Sequence, residues 1–378
     1  MSEVAPIPFS QLTTLRVGAA PERMVEARTR EELVSALRDV WSDDDEWMVL
    51  GGGSNLLVGD EPFPGTVIRI LTSGFQLVDG AREGFVRLRV EAGQNWDELV
   101  AYAVAHGLAG IEAMSGIPGT TGAAPIQNVG AYGQEIVQTL VEVELIDEAT
   151  GEISTVPAAD LGLGPRTSVL KRHYGSAPER EAVILSLTLE LESVGTGPRP
   201  LHDARLRGAL GVADGAEVSL SWIREHVLAI RAAKGMVLDD PDPDTHSAGS
   251  FFQNPILPEA VARTLPPECP RWPVEPDLDP VVVIPLAAYD GALPPIVSSR
   301  TDVKVPAAWL IEHAGIEKGF RLPRSRAGVS TKHALALTNR GGATGGEVGE
   351  LARFIQSRVA AEFGIVLQPE PVLVGVEL

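Results

Sequence analysis

Cysteine is nearly absent: Cys269 is the only one in 378 residues. No internal disulfide and no cysteine metal cluster can form. Long apolar runs are missing too. None approaches the roughly 18 residues of a membrane span, so membrane insertion is not expected. The start, Met1-Ser2-Glu3-Val4-Ala5-Pro6, has neither the basic stretch nor the apolar core of a secretory signal. These absences fit a cytoplasmic enzyme. Positive charge is also scarce. The formal net charge is −20, which argues against a nucleic-acid partner, since that requires a basic surface. Most cations are arginine and lysine is rare, so a lysine at a ligand site stands out. The acid is partly clustered, in Asp43-Asp44-Asp45-Glu46 and Asp239-Asp240-Pro241-Asp242-Pro243-Asp244. Asp-Pro alternation makes a poor cage for one ion, so both runs read as solvated loops and no metal site is expected.

What is present is glycine in one telling place. Trp47-Met48-Val49-Leu50 reads as a buried strand, and Gly51-Gly52-Gly53-Ser54-Asn55 follows as a tight loop. Glycine lets backbone N–H groups converge on an anion such as a pyrophosphate. The pattern is not the dinucleotide fingerprint, because Leu56 stands where its third glycine belongs. No Gly-Lys-Ser/Thr follows, so it is not a Walker loop. An ordinary glycine turn is the competing reading. A second neutral block runs from Gly116 to Gly133, with small residues dominating and charge absent. It reads either as close backbone approach to a large flat ligand or as a packed turn.

Element signals alternate between helix and strand. Thr29-Arg30-Glu31-Glu32 has capping-box form and opens a helix through Val40. Strands are expected over Thr66–Ile70, Phe85–Glu91, Val141–Ile146, Val183–Leu191 and Val281–Leu286. Helices are expected from Asn95 to about His106, from Ser219 to Lys234, over Pro306–Ala314 and over Glu347–Phe363. Gly195–Pro200 reads as a hinge or long loop. A short Pro-framed strand closes the chain near Gln368–Gly375. Long crossover helices are missing from the middle, so the fold class is α+β and a single doubly wound sheet is disfavoured.

Several residues could carry chemistry. Arg231 and Lys234 share a helix face and could clamp a phosphate, or simply sit as exposed cations near a helix C-terminus. Ser250, between Gly249 and two phenylalanines, could be a partly desolvated hydroxyl; no G-x-S-x-G elbow surrounds it. Glu370, between two prolines, is either a positioned acid/base group or an edge charge. Arg166 after Gly164-Pro165 could be an ordinary surface arginine.

Together these segments resemble the UDP-N-acetylenolpyruvoylglucosamine reductase family, the flavoenzymes usually called MurB. The matching pieces are Gly51-Gly52-Gly53-Ser54-Asn55, Ile117-Pro118-Gly119-Thr120-Thr121-Gly122, Pro125 to Gly133, Arg166-Thr167-Ser168, Gly249-Ser250-Phe251-Phe252-Gln253-Asn254-Pro255, Ala308-Trp309-Leu310-Ile311 and Pro369-Glu370. They occur in the family's order and span nearly the whole chain. The resemblance implies a two-part FAD-binding region of the PCMH/vanillyl-alcohol-oxidase type, over 1–75 and 76–215. It implies a third, α/β substrate-binding region over 216–365 and a C-terminal return, 366–378, to the flavin side. FAD would be bound non-covalently, with NADPH as co-substrate. The partner would be the UDP-N-acetylglucosamine enolpyruvate, reduced to UDP-N-acetylmuramate for peptidoglycan by a monomer. Implied cofactor contacts are Gly51, Gly52, Gly53, Ser54, Asn55, Gly116, Ile117, Pro118, Gly119, Thr120, Gly122, Ala123, Gln127, Asn128, Gly130, Ala131 and Tyr132. Implied substrate contacts are Arg231, Lys234 and Asn254. Arg166 and Glu370 match the family's carboxylate-side pair, and Ser250 matches its proton donor. Glu370 could serve there only if protonated or bridged, which implies a raised pKa.

One departure stands out. Asp203 occupies the position of a tyrosine that lies over the diphosphate in the family's longer form, where an aspartate would repel. The long acidic segment Gly235–Gly249 reads as a flap. Competing readings are an oxidase of the same superfamily and a divergent flavin-binding protein without turnover.

Overall fold

The computed structural model describes residues 2–43, 46–274 and 302–378. The first sheet orders its strands Ser2–Val4, Arg23–Ala27, Thr66–Ile70, Trp47–Leu50. The last three are mutually parallel and the first is antiparallel to its neighbour. Helix Arg30–Ser42 makes the crossover. Its capping box forms between Thr29 and Glu32, and Leu33, Ala36, Leu37 and Val40 bury one face. The crossover leaves the glycine loop at the carboxyl end of Trp47–Leu50, where open parallel sheets place their ligands.

The second sheet is antiparallel, in the order Ile153–Pro157, Leu140–Asp147, Ala182–Ser193, Phe85–Glu91, Phe75–Val78. Helix Trp96–Ala105 is capped by Asn95, whose side chain accepts from Glu98 N–H, and Gly107 follows with φ +67°. Helix Leu220–Ala233 is capped by Ser219 and buries Leu220, Ile223 and Val227. One continuous apolar core joins this helix, both sheets and helix Arg30–Ser42. The sequence boundary at residue 75 is therefore not a gap in packing, and helix Leu220–Ala233 belongs to the first core.

A second core forms around Phe251, Phe252, Leu310, Ile311, Leu351, Ile355 and Leu367. Its long helix, Gly345–Phe363, starts two residues before the expected Glu347, because Thr344 is the true cap and closes its box with Glu347. Gly345 is required there: a Cβ would lie 2.1 Å from the Val58 carbonyl oxygen. Asp60 accepts from the N–H groups of Gly345 and Gly346, at 2.7 and 2.9 Å. The end of the chain returns as strand Val372–Val374, parallel to Leu56–Val58 directly after the glycine loop. The expected strand Val281–Leu286 lies outside the described residues.

The acidic segment is not a solvated flap. Asp244 is buried and accepts from Thr331 N–H at 2.8 Å and from its hydroxyl at 2.6 Å. Arg340 pairs with it at 2.5 Å. Asp242 pairs with Lys332 and Asp240 with Arg16. The Asn339 N–H donates to His246 C=O, and the Thr14 hydroxyl to Ser247 C=O. Long-range pairing, invisible in the local composition, overrides the loop signal.

Burial pushes the Asp244 carboxyl up, but the Thr331 hydrogen bonds and the Arg340 charge outweigh it and hold it below the usual range. Its contribution is full above the unfolded carboxyl pKa of about 4 and is lost as pH falls through the lower folded value. Asp244→Ala should cost about 3–5 kcal/mol in urea unfolding at neutral pH, as breaking one side of a buried pair does. The gap to the wild type should narrow in acid; a gap independent of pH would contradict this account.

Candidate functional site

The two small-residue segments meet face to face. A Cβ on Gly52 would lie 2.5 Å from Gly119 Cα, and one on Gly51 would lie 2.4 Å from Thr120 Oγ1. Gly53 has φ +58°, with the Leu12 carbonyl oxygen 2.3 Å from its would-be Cβ. Ser54 Oγ donates to the Pro118 carbonyl at 3.0 Å. No larger residue fits this contact. Behind it opens a cavity of about 1180 Å³. Ordinary small-molecule pockets hold about 300–1,000 Å³, so a dinucleotide and part of a second ligand can be accommodated.

Gly51, Gly52, Gly53, Ser54, Asn55, Ile117, Pro118, Gly119, Thr120, Gly122, Ala123, Gln127 and Gly130 line the cavity. Part of the neutral block has a packing cause as well. Gly122 N–H donates to Ala92 C=O, and a Cβ on Gly122 would strike Ala92 Cβ at 2.6 Å. Gly116, Asn128, Ala131 and Tyr132 are not among the lining residues. Gly116 donates to Asp97 at 2.6 Å and accepts from Arg231 at 3.3 Å. Asn128, at φ +43°, spends its amide on Glu135 and the Gly164 carbonyl and accepts from Val137 N–H. It holds the loop together from behind. Tyr132, at φ +53°, is half-buried, and burial pushes its hydroxyl up against the pull of Arg231.

Arg166, Ser250 and Glu370 all line the same cavity. Arg166 sits at φ +57°, a conformation uncommon outside glycine. Its guanidinium donates to the carbonyls of Asn128 and Gly130 at 3.4 and 3.1 Å. Its Nε lies 3.2 Å from Glu370 Oε1. The Glu370 side chain is only 15% exposed. Burial pushes its carboxyl up, and the opposing pull of Arg166 and Lys171 does not prevail. A backbone ladder brings Ser250 alongside: Gln253 N–H donates to Gln368 C=O at 3.0 Å, and Glu370 N–H donates to Phe251 C=O at 2.9 Å. Val372 N–H then donates to Asn55 C=O at 3.0 Å. Among the described residues, nothing hydrogen-bonds the Ser250 hydroxyl.

The expected cation clamp divides. Arg231 lines the cavity, and its Nη2 donates to the carbonyls of Gly116 and Met236. Its Nε is buried, with no partner among the described residues. Lys234 is exposed, outside the lining, with Nζ 5.9 Å from the Tyr132 ring centre. Asn254 is not brought to the cavity either. Its Oδ1 accepts from Ala307 N–H at 2.9 Å and caps helix Ala307–His313. Asp203 is exposed, lies outside the lining, and caps helix Ala204–Leu210 by accepting from Leu206 N–H at 2.6 Å.

Sequence reasoning missed Lys171. It is buried, lines the cavity, and donates to the Glu370 carbonyl at 3.3 Å and to Gln127 Oε1 at 3.4 Å. The scarcity of lysine was a signal, and Lys171 stands five residues after Arg166. The wall formed by Trp47, Glu148 and Arg180 was missed as well; there Trp47 Nε1 donates to Glu148 at 3.1 Å.

Two family profiles match the chain: an FAD binding domain over residues 21–157, and the C-terminal domain of UDP-N-acetylenolpyruvoylglucosamine reductase over residues 241–374. The reductase of that name from Leifsonia xyli subsp. xyli is 53% identical, over 99% of both chains. That of Thermobifida fusca is 44% identical over 98% of both. The solved reductase of Thermus caldophilus aligns with TM-score 0.60 at 25% identity over 99% of each chain. The glycine cradle and the size of the cavity fit FAD.

The cradle gives a direct test. Gly52→Ala must force the two loops apart, so the purified protein should lose most of its FAD, read as flavin-to-protein absorbance. Gly197→Ala, where a Cβ would meet nothing within 4 Å, should keep it. Equal FAD content in the two variants would contradict the cradle.

Proposed function

The chain belongs to the UDP-N-acetylenolpyruvoylglucosamine reductase family, and from that premise we propose how its cavity works. It is an FAD-dependent oxidoreductase that reduces the enolpyruvyl C=C bond of UDP-N-acetylglucosamine enolpyruvate, giving UDP-N-acetylmuramate for peptidoglycan synthesis. FAD, when bound, would supply the hydride chemistry that links NADPH to the terminal olefinic carbon. Gly51–Asn55 and Ile117–Thr120 would hold its pyrophosphate with backbone N–H groups, and Gln127 and Gly130, which line the same cavity, would hold the rest of the cofactor.

Arg166 binds the substrate carboxylate and stabilises the negative charge that develops as the hydride arrives. Glu370 faces the same charge and in its neutral form donates a hydrogen bond there; burial, which pushes its carboxyl up against the pull of Arg166 and Lys171, supports this. The Ser250 hydroxyl gives its proton to the α-carbon, completing addition of H⁻ and H⁺ across the bond. Arg231, which lines the cavity, takes the substrate diphosphate. The observation that carries this reading is the joining of Arg166, Glu370 and Ser250 in one cavity by the 368–370 ladder.

The division at residues 75, 215 and 365 remains part of the proposal. The core around Phe251 and Leu310 supports a third region, into which Leu15, Val17 and Leu57 also pack, with helix Leu220–Ala233 in the other core. Preference for NADPH, a cytoplasmic location, action as a monomer and a part in cell-wall biogenesis, cell shape and division belong to it as well.

Anaerobic stopped flow at the flavin band tests the roles. Added NADPH should bleach the flavin, and UDP-N-acetylglucosamine enolpyruvate should restore it. Ser250→Ala should leave bleaching within about threefold and slow recovery by about 10²–10⁴, the usual span of general acid catalysis. Equal loss in both steps would sink the proton-donor role.

A further inference from the structure

Lys171 is a buried cation to which the reading above gives no task. Its ammonium carries three donors. Among the described residues it meets two acceptors, the Glu370 carbonyl at 3.3 Å and Gln127 Oε1 at 3.4 Å. Both distances lie beyond the usual 2.7–3.2 Å of N–H···O bonds. A buried charge so thinly satisfied is costly unless something else completes its shell. Lys171 lines the cavity, so a ligand there can complete it.

Its surroundings select the ligand's chemistry. The charged and titratable groups around it are Arg166 and His173 from its own loop and Glu370 from the C-terminal segment. Burial and the Lys171 charge push the His173 imidazole down, toward its neutral form. Asn55 Nδ2 shares both Lys171 acceptors, at 2.7 Å from Gln127 Oε1 and 3.4 Å from the Glu370 carbonyl. Two cations therefore face one carboxyl whose burial favours its neutral form. The balance is positive and calls for an anion. Arg166 meets the Glu370 carboxyl and Lys171 its main-chain carbonyl, where the reading above places the substrate carboxylate.

We propose that Lys171 is a further substrate-binding residue: with Arg166 it receives the carboxylate of the enolpyruvyl group, and its charge governs how tightly that anion binds. The proposal rests on the substrate assignment made above. Burial brings the Lys171 ammonium down to about 8, against the pull of Glu370 and with the push of Arg166. The charge is present below that value and lost above it. Affinity of the free enzyme for the carboxylate should therefore fall as pH rises through about 8.

The test is calorimetric titration of the oxidised, FAD-loaded protein with UDP-N-acetylmuramate, which keeps the carboxylate. UDP-N-acetylglucosamine, which lacks it, is the reference. The wild-type Kd ratio of the two ligands should change about tenfold between about pH 7 and pH 9, following loss of one charge. Lys171→Arg should keep the neutral-pH ratio and abolish its pH dependence. Lys171→Met should weaken only the carboxylate ligand, by about tenfold or more, again without pH dependence. A wild-type ratio flat across this range overturns the proposal even if the variants do not fold. Unchanged ligand affinity in Lys171→Met with a shifted flavin spectrum would place the lysine against the cofactor and overturn it too. Binding of neither UDP-sugar by the wild type would overturn the substrate assignment itself, and the lysine proposal with it.

Discussion

A run of main-chain hydrogen bonds along residues 368–374 holds the candidate site together. Gln368 and Glu370 pair with Gln253 and Phe251, and Val372 pairs with Asn55 and begins the strand beside Leu56–Val58. Three stretches distant in the chain become neighbours: the glycine loop, the serine turn and the acid-bearing C-terminal segment. Main-chain bonds fix such neighbours more tightly than side chains can, because both partners are already committed by the backbone. Arg166 is added from a fourth segment through two carbonyls of the neutral block and the Glu370 carboxylate. Without the ladder these side chains would have no common reference frame.

Electrostatics follows from this frame. The chain as a whole is strongly acidic, yet in the cavity Arg166 and Lys171 both act on one reluctant carboxyl, Glu370. A low-dielectric wall makes each of these charges count for more than it would in water. Acid elsewhere is consumed in structure. Asp242 and Asp244 tie the segment carrying Ser247–Ser250 to the Thr331–Arg340 hairpin, and Asp60 caps the helix behind the glycine loop.

Local signals were legible in the sequence and long-range ones were not. Thr29, Asn95 and Ser219 cap the helices they were expected to cap, because a cap depends on residues within one turn. The strand before the glycine loop and the Phe85–Glu91 alternation were readable for the same reason. Asn254 accepts from Ala307 N–H, about 50 residues away, a bond its local sequence does not announce, while Asp203 caps its own helix through Leu206 N–H. Asp244 was read as solvated because its partners Thr331 and Arg340 lie nearly a hundred residues on. Lys171 was marked only by the scarcity of lysine, because its partner in the C-terminal return lies 199 residues on.

The central claim is that one ladder, and not three separate contacts, assembles the site. Native-state hydrogen exchange of the FAD-loaded protein at the Gln253, Glu370 and Val372 amides tests it most directly. The three should share a single opening free energy and lose protection together as denaturant is added. If Val372 opens on its own while Gln253 and Glu370 stay protected, the glycine loop and the serine turn are held independently and the account fails.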